Sequence, residues 1–162
     1  MALTAIQMIR AVRAFSDRPV PDDVIRQIVD AGRRSQSSKN SQPWQFVVVR
    51  HRDTLARLAQ CGTYAGHVAA AAFAVALVAP PGTAFDQGQA TAYMMLAAWD
   101  LEVGACIATM HDSEQAQAVL GVPTDLDCQW TISFGYPAQA QPTTLKRGGR
   151  RSFEEVVHWE HW

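Results

Sequence analysis

The chain has 162 residues, enough for one domain with a sizeable core, and 48% of them are apolar, which excludes a disordered chain. Lys plus Arg number 14 against 15 for Asp plus Glu, so no net field draws it to nucleic acid or acidic membranes. Cys61, Cys106 and Cys128 are odd in number and lack paired spacing, which predicts free buried thiols in a reducing compartment.

The N-terminus lacks a basic region followed by an apolar core, so no signal peptide is expected. The longest apolar run, Val68 to Ala79, is too short to span a bilayer. A cytoplasmic protein with neither membrane nor nucleic acid as partner is the expectation. From the start, Thr4 to Val12 has a helical pattern with Thr4 as cap and Ala5, Ile6 and Ile9 on one face. On such a helix Arg10 and Arg13, three apart, lie on one side, where they are either two solvated arginines or a bidentate phosphate ligand. Pro19 and Pro21 then force a turn. Asp22 is the expected cap of a second helix, over Val24 to Ser35, with Val24, Ile25, Ile28, Val29 and Gly32 in helical period.

The stretch Ser37-Ser38-Lys39-Asn40-Ser41-Gln42-Pro43-Trp44 follows as a loop. Its hydroxyl and amide groups both donate and accept, a chemistry that suits the mixed edges of a flat heterocycle. The run Gln45 to Arg50 reads as a buried strand, and Asp53 as the cap of a short helix carrying Leu55 and Leu58. Within Val68 to Ala79, Phe73 to Val78 reads as a central strand closed by Pro80-Pro81-Gly82. Gln87 to Leu101 is a long helix, apolar nearly all round, as in a core or a subunit interface. Gly104 leads a short extended piece to Met110, and Ser113 is the expected cap of a helix that stops at Gly121. Asp127 to Phe134 reads as a strand, broken at Gly135-Tyr136-Pro137.

The tail gathers Lys146, Arg147, Arg150 and Arg151 around Gly148 and Gly149, either an anion site or a solvated tail. The closing His158-Trp159-Glu160-His161-Trp162 carries two tryptophans, more apolar surface than a frayed end usually has. His158 and His161 beside Glu160 do not make a metal site, and no metal is expected. No acid, base or nucleophile constellation stands out, and no Gly-x-Gly-x-x-Gly fingerprint follows a strand.

Three separated stretches resemble the nitroreductase family of FMN-dependent oxidoreductases. They are Arg10 to Phe15 with Pro19-Val20-Pro21, the loop Ser37 to Trp44, and Phe134 to Ala138 with Gly149-Arg150-Arg151 and Glu154 to His158. The resemblance implies an α+β fold of three α/β/α layers with a central mixed, mainly antiparallel sheet. It implies one FMN-binding domain over residues 1–162, in an intertwined homodimer whose arm, residues 146–162, packs on the partner. FMN would meet Arg10, Ala11, Arg13, Ser37, Ser38, Asn40, Gln42, Ala108, Thr109, Arg150 and Arg151, with NAD(P)H as co-substrate and a nitroaromatic or quinone as acceptor in ping-pong hydride transfer. No side chain is expected to be catalytic, because the flavin carries the chemistry. His67 falls near a position where relatives hold a basic residue. Two family positions differ: Ile9 stands where an Arg is common and Ala11 where a Ser is. The segments 60–68 and 77–87 are shortened, which implies a more open pocket. Rival readings are a non-catalytic flavin or deazaflavin binder, and a flavin-consuming or dehalogenating enzyme on the same fold.

Overall fold

A computed structural model describes residues 2–139 and 149–162; Lys146, Arg147 and Gly148 of the basic cluster lie outside the described residues. Four strands form one sheet in the order β1-β2-β4-β3: β1 Gln45–Val49, β2 Phe73–Ala79, β3 Gly104–Thr109 and β4 Asp127–Gly135. All three pairings are antiparallel, and the parallel component is a single bridge between Ala11 and Ala105 beside β3.

Strand β2 is buried at every position, and its alternation explains why it reads as a continuous apolar run. Phe73, Val75 and Leu77 face a core shared with Ile25 and Ile28 of α2 (Asp22–Arg33) and Met94 and Ala98 of α4 (Ala84–Asp100). Ala74, Ala76 and Val78 face the opposite core, with Leu55 and Leu58 of α3 (Arg52–Gln60) and Ala116 of α5 (Ser113–Leu120). These are the three expected layers. The Phe73 and Phe134 rings stack at 4.8 Å between centroids and tie β2 to β4. A Cβ on Gly32 would meet Met94 Cγ at 2.7 Å, so the glycine sets how closely α2 and α4 pack.

Several local expectations are corrected. Helix α1 runs over Ala2–Met8, not Thr4 to Val12, so Thr4 lies inside it, and Ile6 is exposed while Ala5 is buried. The chain leaves the helix because the Val12 N–H donates to Ala105 O at 2.9 Å, drawing the segment onto β3. Helix α2 has Pro21 at its N-cap; Asp22 is its first residue and pairs with Arg50 at 2.7 Å. Helix α3 has His51 at its N-cap, with Asp53 in its first turn. Helix α5 is capped by Asp112, whose carboxylate accepts from the Gln115 N–H at 2.9 Å. In each case the polar residue nominated as cap already lies inside the helix. A cap must precede the first helical residue, and periodicity alone places that residue only to within a turn.

Helix α4 buries Gln87, Ala90, Thr91, Met94 and Ala98, yet Phe85 and Tyr93 on its other sides are exposed. The exposed Leu3, Ile6 and Met8 of the neighbouring α1 extend that apolar surface. The tail forms α6 (Phe153–Val156) with a capping box between Ser152 and Glu155. Its Phe153, Val156, Trp159 and Trp162 are all exposed, Trp162 completely so. No helix among the described residues is long and apolar enough to cross a membrane.

Candidate functional site

The N-terminal segment is seated by a glycine pair. Gly104 and Gly135 are register partners across β3 and β4, and both would point a side chain to the face that carries α3 and α5. A Cβ on Gly104 would meet Val12 at 2.7 Å, and one on Gly135 would meet Phe15 at 2.9 Å. Residues 12–15 therefore cross the strand ends where side chains are missing. Further bonds fix the path: the Ser16 N–H donates to Tyr136 O at 2.8 Å and the Ala138 N–H to Ala14 O at 3.0 Å. The Arg18 guanidinium lies 3.8 Å from the centre of the Tyr136 ring.

This path separates the two arginines that helical spacing would have paired. Arg10 folds back, and one of its nitrogens donates to the carbonyls of Gln7 and Ile9 at 2.9 and 2.8 Å, closing the end of α1. Its Nε is buried without a partner among the described residues. Arg13 is exposed and lies where its charge acts on both His67 and Cys106. Ala11 makes the bridge to Ala105.

Strand parity sorts Ala108 from Thr109. Ala105 O points outward to Val12, whereas the Met110 N–H points inward to Gln129 O at 2.8 Å. Successive residues alternate, so the backbone groups of Ile107 and Thr109 face the outer edge of β3 and those of Ala108 face β4. Ala108 pairs with Thr131, and its N–H is committed to the ladder. The expected N–H donor at this edge narrows to Thr109, joined by Ile107, which sequence reasoning missed because parity is invisible without the pairing.

The polar loop is built as a strained platform. Trp44 is buried and stacks on Phe46 at 6.4 Å, anchoring the loop from below. Ser37 Oγ accepts from the Gln42 N–H at 2.9 Å, and the Asn40 N–H donates to Ser37 O at 3.0 Å. Lys39, Asn40 and Gln42 have φ of 52°, 54° and 47°. Non-glycine residues pay about 1–2 kcal/mol for that left-handed geometry, which recurs at functional sites. Ser38 and Asn40 are exposed at the tip.

One chain does not bring these parts together. The loop enters β1 at Gln45, whose register partner is Val78, at the same end of the sheet as Thr109 but on the opposite edge. Three strand spacings, roughly 14 Å, separate the two edges. Arg150 and Arg151 are exposed in the tail, where the Arg151 guanidinium donates to Glu155 O at 2.7 Å.

A second group gathers beneath the N-terminal segment. His67 Nδ1 lies 2.7 Å from Ser133 Oγ, which in turn lies 3.2 Å from Cys106 O. Burial, and then the positive charge of Arg13, hold the His67 imidazole below its ordinary 6.5. Burial raises the Cys106 thiol, partly offset by Arg13. Sequence reasoning named His67 and Cys106 singly but not Ser133, an interior β4 residue that no motif marks. All three cysteines are free and buried, and Cys128 is pushed up to about 11 by burial, so none is a ready nucleophile. Among the described residues no group of three His, Cys, Asp or Glu could hold a metal.

The donor set is cationic and rich in N–H groups: the unpartnered Nε of Arg10, the exposed Arg13, and the outward amides at the β3 edge. It fits an anionic group joined to a ring with acceptor atoms, which FMN is.

The sequence model of the nitroreductase family matches residues 6–73 and 65–136, and the chain belongs to that family. A relative from Methanothermobacter thermautotrophicus, provisionally named an NADH dehydrogenase/NAD(P)H nitroreductase, is 29% identical over 99% of this chain and 87% of its own. An NADH dehydrogenase of Thermus thermophilus is 26% identical over 98% and 95%. The solved FMN-dependent nitroreductase of Clostridium difficile superposes with a TM-score of 0.88 over 99% of both chains, at 22% identity, a likeness of fold.

Proposed function

We propose that this chain is an NAD(P)H-dependent FMN oxidoreductase that works as a homodimer and reduces small electrophilic acceptors such as nitroaromatics or quinones. Family membership supports the class of chemistry, and relatives and structural neighbours named as NADH dehydrogenase, FMN-dependent nitroreductase and NADPH:FMN oxidoreductase point the same way. The observation that carries the reading is the β3 edge. There the segment bearing Arg10 and Arg13 joins β3 at Ala105, two and four residues along the same edge from the outward amides of Ile107 and Thr109, and the Arg10 Nε has no acceptor among the described residues. FMN, when bound, supplies the hydride acceptor and donor. The residues of this chain bind and orient it. Arg10, Arg13, Arg150 and Arg151 would hold the phosphate; the Thr109 N–H and the Ser37, Ser38, Asn40 and Gln42 loop would hold the ring and ribityl chain.

The same geometry supports the dimer. A loop and an edge some 14 Å apart in one chain can meet when the loop comes from a second copy. The apolar surface on α1 and α4 and the four exposed apolar residues of the tail are what such a copy would cover. Beside the open β1 edge lies a groove of about 610 Å³, floored by Ile25, Val29, Phe46 and Val48, with a mixed rim of Arg26, Arg33, Arg50, Asp22 and Asp30. We assign it to the partner's arm. Two substrates using one flavin face in turn gives ping-pong order.

Anaerobic titration of the FMN-loaded protein with NADH and NADPH, followed by addition of an acceptor, tests this. Bleaching of the flavin band and its return with a nitroaromatic or quinone are expected. Tight FMN binding without bleaching would instead identify a cofactor-binding protein.

A further inference from the structure

We propose that Arg13 and His67 form a proton-linked anion site, in which His67 is neutral in the free protein and takes up one proton when an anionic group of the flavin cofactor docks beside Arg13. This rests on the FMN reading above.

The geometry already has the relay that a cationic imidazole needs. A serine hydroxyl has one proton; donated to Cys106 O at 3.2 Å, it leaves an Oγ lone pair to accept from His67 Nδ1–H at 2.7 Å. Nδ1 is then the protonated nitrogen, and Nε2 is the one free to gain a proton. No rearrangement of Ser133 is required when it does. Residues 12–15 cross the Gly104–Gly135 seat on this same face, and from this segment the charge of Arg13 reaches both His67 and Cys106.

The surrounding charges set the sign. From the N-terminal segment Arg13 opposes a second positive charge. From β3 the Cys106 thiol stays neutral at ordinary pH, because burial raises it. From α3, Arg52 spends one nitrogen on the carbonyls of Ala69 and Ala71 at 3.4 and 2.8 Å. From β4 the facing group is the hydroxyl of Ser133. Burial, and after it the charge of Arg13, hold His67 below the ordinary 6.5, and among the described residues no carboxylate offsets them. An anion neutralises the charge of Arg13 and supplies the missing partner, and the imidazole then titrates higher. Anion affinity is therefore flat above the higher value, rises as pH falls between the two, and levels off below the lower. Within that window one proton changes affinity by up to about tenfold per pH unit.

Two anions qualify: the FMN phosphate, and the ring once reduced, on which negative charge collects. Calorimetric titration of the holo-forming reaction in two buffers of different ionisation enthalpy counts protons taken up with oxidised FMN. The pH slope of the bound flavin's midpoint potential reads the ring. His67→Gln is compared throughout, which removes the phosphate's own ionisation near about pH 6, common to both proteins. Proton uptake with oxidised FMN, lost in His67→Gln, supports the site with the phosphate as its anion. A potential slope that differs between wild type and His67→Gln supports it with the reduced ring. Should both readouts match between the two proteins, the proposal is overturned while the FMN reading stands. Failure of FMN to bind at any pH overturns both. Imidazole ¹⁵N shifts of the wild type give a check independent of the variant's folding: neutral His67 with Nδ1 protonated is expected without FMN, and a cation without FMN would overturn the site.

Discussion

Single residues carry more of this architecture than their chemistry advertises, and the paired Gly104 and Gly135 carry most. Gly135→Ala should drive a methyl into Phe15, which sits 2.9 Å from that position. Overpacking of this kind costs about 1–3 kcal/mol. The expected outcome is a lower thermal midpoint together with weaker FMN binding, because the displaced segment carries Arg13. A lower midpoint with unaltered FMN affinity would separate the seat from the site. Arg13→Ala, and separately Arg150→Ala with Arg151→Ala, should each weaken FMN binding by at least several-fold. A hydrogen bond to a charged group contributes about 1.5–3 kcal/mol. Equilibrium titration by flavin fluorescence measures both, and unchanged affinity in both would place the anion elsewhere. The sequence singles out these arginines as candidates, but their disposition was not legible in it. Spacing of three implies convergence only on a helix, and Val12 bonding to Ala105 removes the helix. The same limit applies to Ala108 and Thr109, whose backbone directions depend on which neighbour β3 pairs with.

Elements were legible where a local rule and the tertiary fold agree. Strand β2 was plain because both its faces are buried, and α2 because Ile25, Ile28 and Gly32 form one stripe. Helix starts were less so, since the nominated acids lie inside the helices rather than before them. Asp112 therefore gives a clean test of α5. Asp112→Ala removes the acceptor of the Gln115 N–H and should cost about 0.5–2 kcal/mol. In urea the midpoint should fall while the slope stays constant, since the surface exposed on unfolding is unchanged. Helix α4 shows where pattern alone stops. Apolar on several sides, it reads as a core or interface helix; in one chain only one flank is covered, and Phe85 and Tyr93 are left to solvent.

At the scale of the whole molecule, the exposed apolar residues of α1, α4 and the tail are those that a second copy would cover in the proposed homodimer. Removal of residues 152–162 deletes Phe153, Val156, Trp159 and Trp162 while leaving both cores untouched. The expected result is a shift from dimer to monomer in sedimentation at micromolar protein, with FMN affinity falling because Arg150 and Arg151 lose their scaffold. A dimer of unaltered stability that still binds FMN would place the contact on α1 and α4 alone. The polar loop Ser37 to Trp44, well marked in sequence, lies across the sheet from the outer edge of β3 in its own chain, and in the proposed homodimer it would meet that edge of a second copy.

The all-apolar β2 also has a consequence for how the protein is made. Its partner β1 is the preceding strand, with α3 between them, but its other neighbour, β4, arrives only after α4, β3 and α5. Until then Phe73–Ala79 offers an unpaired edge of seven apolar residues with no charge or proline to guard it. Such segments self-associate, and long-range pairing is slow. Refolding yield should therefore fall steeply with protein concentration, and a lysine placed within β2 to improve it would destroy the core it protects.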